Sequence, residues 1–419
     1  MPLLSRLFLG LVVTVAAVGL LAGGGCTKRG KMLPSPTPPS AQTIFVNPAT
    51  GNDTTGNGSS PKPYKTLTRA IKALPSAEPF ADTIALAPGD YNAKNGEVFP
   101  IAIPTGVTLA GSGYGSVHSG VFIDGAGEDT AYEKLAGVAS QSLYTTLEVD
   151  TVASISMSDV YVGDSKLSLP AHASYVASDV LGTASAQTVT FDAGVATLAS
   201  RANGILVPSG DLTCTNCTIL GAAYGVAAQS LPSASAPPSV TLAGASGGET
   251  IVGGQGTGIA TDGTADVTVS DSALRTAEFA YADTLGVLKG VSVTPGLVDF
   301  GSINTSCGSG SSNPSIGGND LHGLNTKTEI FVTVAGAAVC AYNNTWNTIA
   351  TGPQKTDAYG DYPEPKTFKP GASGKNVTIA KTATGSTVTV GPYRQPTPTP
   401  SASPTSSASP TASPTSSPT

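Results

Sequence analysis

Between Asp82 and Gly125 the apolar residues fall into four short runs, Thr83–Ala87, Pro100–Ile103, Gly106–Ala110 and Val121–Ile123. In the first, Ile84 and Leu86 alternate with small residues; in the third, Val107 and Leu109 do the same. A period of two means that one face of each strand is buried. Every run stops at turn residues: Pro88-Gly89-Asp90, Pro104-Thr105-Gly106, Gly111-Ser112-Gly113 and Asp124-Gly125. The stretch has one Asn-Gly pair, Asn95-Gly96, and it lies inside a longer connection, which disfavours tight antiparallel hairpins. Short strands, sharp corners and no crossover helices predict an all-β solenoid, a parallel β-helix in which each turn stacks on the one before.

The pattern continues down the chain. Leu147 and Val149, then Ile155 and Met157, alternate within Leu143–Val162. Two later segments, Asn203–Leu220 and Thr257–Leu274, echo each other. Gly204-Ile205 matches Gly258-Ile259, Leu212 and Cys214 match Val267 and Val269, and Asn216 matches Asp271. The step from Gly204-Ile205 to Gly225-Val226 predicts rungs of about 20–30 residues, the range of solenoids. Leu231–Ser239 reads as a corner insertion and Asn304–Asn325 as a longer loop. Glu329–Thr348 reads as the last rung, with Asn343-Asn344 at its corner and Trp346 packed inside. Strands within Lys375–Val390 then form the closing edge. At the other end, Gln42–Val46 reads as a strand, and Lys65–Leu74 carries Leu67, Ala70, Ile71 and Leu74 on one helical stripe. A short amphipathic helix is the expected cover for a solenoid end, which otherwise exposes its core and its strand edges.

The start of this region resembles a known family. Val46, Gly51, Asp53, Gly58, Pro63, Tyr64, Lys65 and Thr66, followed by Pro88-Gly89 with Tyr91 and by Gly106-Val107 with Gly111, carry the likeness. They are similar to the domain of unknown function that begins many exported bacterial β-helix proteins of the pectin-lyase-like superfamily. The resemblance implies a right-handed parallel β-helix and a secreted or surface location, and it implies no agreed reaction.

The two ends change the picture of where the protein works. Residues 1–26 form a targeting segment: Arg6, an apolar run Leu7–Leu21, then small residues ending at Cys26. This pattern resembles a bacterial lipoprotein signal, with Cys26 as the lipidated residue and the membrane as partner. An ordinary cleaved secretory signal and an uncleaved anchor are the competing readings. Residues 27–41 are a Pro-rich tether, 42–394 the β-helix domain, and 395–419 a Ser/Thr/Pro tail with no charge and no large apolar side chain, expected to be disordered. Only 12% of the 419 residues are charged and 6% aromatic, with 50 glycines, a profile that suits a coil with Gly-rich corners and Ser/Thr outer faces. A net charge of −7 with no basic patch argues against nucleic acid as a partner.

Candidate chemistry is sparse. Polygalacturonase-like enzymes present paired Asp-Asp, Gly-His and Arg-x-Lys; the chain has no Asp-Asp and no Gly-His, and its single Arg-x-Lys, Arg29-Gly30-Lys31, lies in the tether. A lyase needs carboxylates holding Ca²⁺ and an Arg or Lys base. Asp262, Asp266 and Asp271, with Arg275 and Lys289 downstream, are the one group of that kind, although Asp at rung corners also follows from turn chemistry alone. No other cofactor or metal is implied. Of five cysteines, Cys214 and Cys217 read as buried core thiols, while Cys307 and Cys340, the latter facing outward, are a candidate disulfide in an oxidising compartment. The readings left open are a surface scaffold that binds or displays glycans or envelope polymers, a lyase or hydrolase acting on uronic-acid chains, and a spacer or adhesin. The first is favoured because the known catalytic signatures are missing.

Overall fold

The computed structural model describes residues 41–390, except 76–81, 112–119, 126–130, 135–141, 150–153, 164–172, 194–201, 222, 233–235, 246–247, 255, 277, 288–290, 292–293, 303–314, 324–327, 348–365 and 374–375. The expectations for the signal segment, the tether before residue 41 and the tail after 394 lie outside these residues.

The chain winds into a parallel β-helix. Each turn gives one strand to each of three sheets, of 12, nine and ten strands among the described residues. Neighbouring rungs pair in parallel register: Thr183 pairs with Asp211 and Asp211 with Ser239, a 28-residue step each time. In the third sheet Ile205 pairs with Val226 and Val226 with Ile259, so the two echoing segments sit two rungs apart in the same columns. Alternation fills the coil with stacked apolar columns. One runs Leu109, Met157, Ala186, Cys214, Leu242 and Val269 down the first sheet, every member buried. Trp346, register partner of Leu321, is buried in the last rung of the second sheet.

At five rungs the corner between the first and second sheets turns on one left-handed residue: Asp159, Thr188, Asn216, Asp271 and Asn343, with φ of 56, 54, 53, 44 and 57°. Asn and Asp tolerate this conformation best, which is why Asn216 and Asp271 occupy equivalent places. Just inside the corner runs a ladder of polar side chains. Cys217 N–H donates to Thr250 Oγ1 (3.2 Å), Ser272 N–H to Asn319 Oδ1 (3.1 Å), and Asn319 N–H to Asn344 Oδ1 (3.1 Å).

The N-terminal end is closed as expected. Helix α1 (Leu67–Ala73) buries Leu67 and Ala70, and its N-cap Thr66 accepts from Arg69 N–H. The loop before it shields the edge of the first strand, Thr43–Val46: Phe45 N–H donates to Gly58 O at 2.8 Å and Tyr64 N–H to Phe45 O at 3.1 Å. Three elements differ from the expectation. Gly89–Tyr91 is a strand rather than a turn, because Tyr91 points inward and its hydroxyl donates to Ala87 O at 2.8 Å. Asp320–Gly323, read as part of a loop, is a strand of the second sheet anchored by a single inward residue, Leu321, too few to show a period. Lys366–Phe368 adds an antiparallel strand to Thr387–Val390 and covers the C-terminal edge of the first sheet.

Candidate functional site

The predicted acidic group does not assemble. Asp262 is buried at the corner from the third sheet to the first, where it accepts from Ser230 N–H (2.9 Å), Thr264 N–H (2.9 Å) and Thr264 Oγ1 (2.6 Å). Asp266 begins the strand Asp266–Ser270 and accepts from Leu297 N–H at 2.8 Å. Asp271 follows that strand at the next corner, about 16 Å from Asp266 at about 3.3 Å per residue. The first two fix turns, so the three cannot share one Ca²⁺, and Lys289 lies outside the described residues. Among the described residues no three His, Cys, Asp or Glu are grouped to hold a metal.

Asp271 instead lines a groove of about 660 Å³ with Gly244, Ala245, Gly248, Glu249, Ile251 and Gly318. The groove exists because the corner opens into an excursion after the strand Ser239–Ala243. Asn216 of the rung above holds that excursion, accepting from Ala245 N–H (2.8 Å) and donating to Ala245 O (3.1 Å). Gly318, at φ 79°, forms the opposite wall, and a Cβ there would run into the Asp271 carboxylate. Partial burial against these walls pushes the Asp271 carboxyl above the ordinary aspartate value. On the adjoining outer face of the second sheet, Arg275 is held between two acids. Its Nε lies 3.4 Å from Asp320 Oδ2 and its Nη2 3.7 Å from Glu249 Oε1. Its register partner Gly253 has no side chain to crowd the guanidinium. Exposed ion pairs stabilise little, typically about 0–1 kcal/mol.

The same outer face carries an aromatic step several rungs away. The rings of Phe122 and Tyr161, register partners on adjacent strands, lie 5.5 Å apart at 51°, and Tyr161 Oη contacts Asp192 Oδ2 at 3.3 Å.

Sequence reasoning missed a second carboxylate arrangement. Glu148 and Asp179 are register partners in the third sheet and are 1% and 0% exposed. Both occupy outward positions, and their column continues through Leu206, Ala227, Ala260, Ala282 and Phe331. Alternation had marked Leu147 and Val149 as inward and passed over the acid between them. The signal available was an acid directly before an inward Val, Glu148-Val149 and Asp179-Val180, on two consecutive rungs.

Cys214 and Cys217 are free and fully buried. Burial holds the Cys214 thiol well above its ordinary value, so at neutral or mildly alkaline pH it stays protonated and unreactive. Cys340 is disulfide-bonded and 1% exposed, so although it stands at an outward register position beside Asp299 it is covered rather than open. Its candidate partner Cys307 lies outside the described residues. Alkylation of the native, unreduced chain at pH 8 should therefore leave Cys214 and Cys217 unlabelled, denaturation should label both, and Cys340 should label only after reduction. Native labelling of Cys214 would mean the coil opens locally.

A family model described as "Protein of unknown function (DUF1565)" matches residues 49–352. Among solved structures the chain is similar to the pectin methylesterase PemA from Erwinia chrysanthemi, at 14% identity over 59% of this chain and 71% of that one, with a TM-score of 0.36. A GH136 lacto-N-biosidase from Eubacterium ramulus aligns at 10% identity over 72% of this chain and 64% of that one, TM-score 0.37. Carrot pectin methylesterase aligns at 12% identity over 60% and 85%, TM-score 0.29. No curated protein matches the sequence. At such scores no residue is carried across from any of these structures.

Proposed function

Since this chain belongs to the DUF1565 family of proteins of unknown function, we propose from its own residues that it is an exported β-helix that binds polysaccharide. The observation that carries the proposal is Arg275, held between Glu249 and Asp320 at the edge of the groove around Asp271. Planar guanidinium and carboxylate groups in fixed positions suit paired hydroxyls, and a rigid coil pre-organises them at no ordering cost on binding. Export is supported by the disulfide at Cys340, a bond that persists in oxidising compartments. Cys26 would then anchor the mature chain to the membrane through lipid, and Cys307 would be the bonding partner of Cys340.

The second reading, a lyase or hydrolase acting on uronic-acid polymers, is favoured by Glu148 and Asp179, since paired carboxylates are the machinery of glycoside hydrolysis. Both are closed to solvent, and a substrate cannot reach them in this state. Binding is therefore the preferred reading.

Migration of the protein through gels containing dissolved polysaccharides tests it. Retardation by at least one polymer, relieved by Arg275→Ala, is expected, with no ultraviolet-absorbing unsaturated product on incubation with polygalacturonate and Ca²⁺. No retardation by any polymer would remove the binding reading, and product formation would put the lyase in its place. Non-reducing peptide mapping should link Cys340 to Cys307, and labelled palmitate should enter the chain unless Cys26 is replaced by Ser. Palmitate uptake that survives Cys26→Ser would remove the anchor.

A further inference from the structure

Taking Cys26 as a membrane anchor, we infer that the N-terminal cap of the coil is a docking face for an anionic phospholipid surface. This rests on the anchor reading and adds the face that meets the membrane.

The basic residues are gathered at the two ends of the coil. Among the described side chains, Lys62, Lys65, Arg69, Lys72 and Lys94 lie in the layer that closes the N-terminal end, and Lys366, Lys369 and Lys381 lie at the other end. Between them the described coil carries a single cation, Arg275. Lys62, Lys72 and Lys94 are exposed, and the ion pairs among the described side chains engage none of the five cap residues. Arg69 donates its Nε–H to Asp53 O at 3.3 Å and lies 4.7 Å above the Tyr64 ring, contacts that hold the guanidinium without cancelling its charge. The described acids of the same stretch are turned away. Asp82 and Glu97 are buried, and Asp53 accepts from the Lys65 and Thr66 N–H groups. Asp90 is exposed but stands on the flank, at an outward position of the second sheet.

An exposed apolar side chain on the same cap is the second observation. Val98 is 60% exposed, one of two large hydrophobic residues so exposed among the described residues. Its N–H donates to Thr68 Oγ1 at 3.0 Å, and a Cβ on Gly96 would lie 3.4 Å from Thr66 Cγ2. The turn from Lys94 to Val98 therefore sits against the first turn of α1. An apolar tip among lysines suits a bilayer surface, where the tip enters the headgroup layer and the cations meet anionic lipid.

The tether enters at this end. Residues 27–41 join the coil directly ahead of Thr43–Val46, the outermost strand of the first sheet, and carry Lys28, Arg29 and Lys31 close behind Cys26. Extended at about 3.1 Å per residue, they span about 45 Å, so lipid at Cys26 fixes no distance between coil and membrane. The cap fixes it, since each Lys or Arg at an anionic leaflet raises affinity about fivefold. The groove around Asp271 then stands clear of the lipid. Seven strand spacings separate Thr43–Val46 from Asp266–Ser270, about 34 Å at about 4.8 Å each, several times the screening length of about 8 Å.

Energy transfer on vesicles tests this. The exported chain carries a donor dye at Thr55→Cys in the cap loop or at Thr382→Cys at the far end, both exposed positions, and the vesicles carry a headgroup acceptor. On vesicles of mixed phosphatidylglycerol and phosphatidylcholine, the Thr55 dye should transfer strongly and the Thr382 dye weakly, and added salt should lower the Thr55 signal. On phosphatidylcholine alone the Thr55 signal should be lost. Lys62→Gln, Lys72→Gln and Lys94→Gln together should weaken docking at least about tenfold, and Val98→Ser about threefold. The same charge change at the far end, Lys366→Gln, Lys369→Gln and Lys381→Gln, should leave it unchanged. Equal Thr55 transfer on the two kinds of vesicle, or an equal loss in the far-end variant, overturns the inference while the anchor at Cys26 stands. Tighter binding of a soluble polyglycerol phosphate than of the mixed vesicles overturns it in favour of a wall polymer. If labelled palmitate also enters Cys26→Ser, the anchor reading has failed instead. Flotation of the chain with the mixed vesicles, and its loss in the triple cap variant, then decides docking by itself.

Discussion

Replacing Asn319 with Ala is expected to lower the unfolding free energy by about 3–5 kcal/mol, since each buried polar group left without a partner costs about 1–3 kcal/mol. Asn319 is fully buried. Its Oδ1 accepts from Ser272 N–H at 3.1 Å, and its Nδ2 donates to Val269 O (2.9 Å), Phe300 O (2.8 Å) and Asn344 Oδ1 (3.0 Å). One side chain thus ties three successive rungs together at the corner that also forms the groove. Ala would strand the Phe300 carbonyl and the Ser272 N–H, while Val269 O keeps the Ser315 hydroxyl as its donor. Ser, with one donor and a short reach, should recover little of the loss. Urea denaturation followed by far-ultraviolet circular dichroism measures the effect. A loss under about 1 kcal/mol, the net worth of one ordinary hydrogen bond, would show that water replaces the amide and that the ladder is not a structural device.

Because Asn319 sits beside Asp320, Gly317 and Gly318, the same substitution should also loosen the groove. Gly318 packs directly against Asp271, so a shift of its rung moves the wall of the site. Ligand binding by Asn319→Ala should accordingly weaken even under conditions where the variant remains folded.

The architecture was legible in the chain because a parallel coil repeats one local rule. Inward Val, Ile and Leu at every second residue and a turn residue at each corner can be seen without knowing which rung pairs with which. The equivalence of Asn216 and Asp271 was visible for the same reason, as both supply a left-handed corner. What failed to show was anything made across rungs. Arg275, Glu249 and Asp320 come from three different strand regions, and only the register brings them within 4 Å. Glu148 and Asp179 are 31 residues apart and adjacent in space. Proximity along the chain was misleading in the opposite direction. Asp262, Asp266 and Asp271 are close in sequence, yet an extended strand carries the last to a different corner from the first. Asp320–Gly323 escaped notice because one inward Leu cannot establish a period.

The N-terminal cap depends on a single buried acid, and its removal is the other large effect expected. Helix α1 has seven residues, too short to be stable alone. Its first N–H groups are satisfied by side chains from outside: Glu97 Oε1 accepts from Leu67 N–H at 2.6 Å, and Oε2 from Thr68 N–H at 2.8 Å and Thr68 Oγ1 at 2.6 Å. Asp53 supports the approach, accepting from Lys65 and Thr66. Glu97→Gln keeps the shape but turns an NH₂ toward a donor, and should cost about 2–4 kcal/mol. The pH dependence distinguishes the forces at this site. Burial pushes the Glu97 carboxyl above the ordinary glutamate value, against the hydrogen bonds from Thr68 and Leu67 that pull it down. A carboxyl with a raised folded value contributes most below its unfolded value and loses that contribution as pH rises through the folded one. The gap between the native chain and Glu97→Gln should therefore be widest in mild acid and narrow toward neutrality. Denaturation midpoints of both proteins from about pH 4 to pH 7 would show it. A gap that widens with pH would mean that the hydrogen bonds to the ionised carboxylate outweigh its burial, and that the cap is held by charge at the helix N-terminus rather than by a desolvated acid.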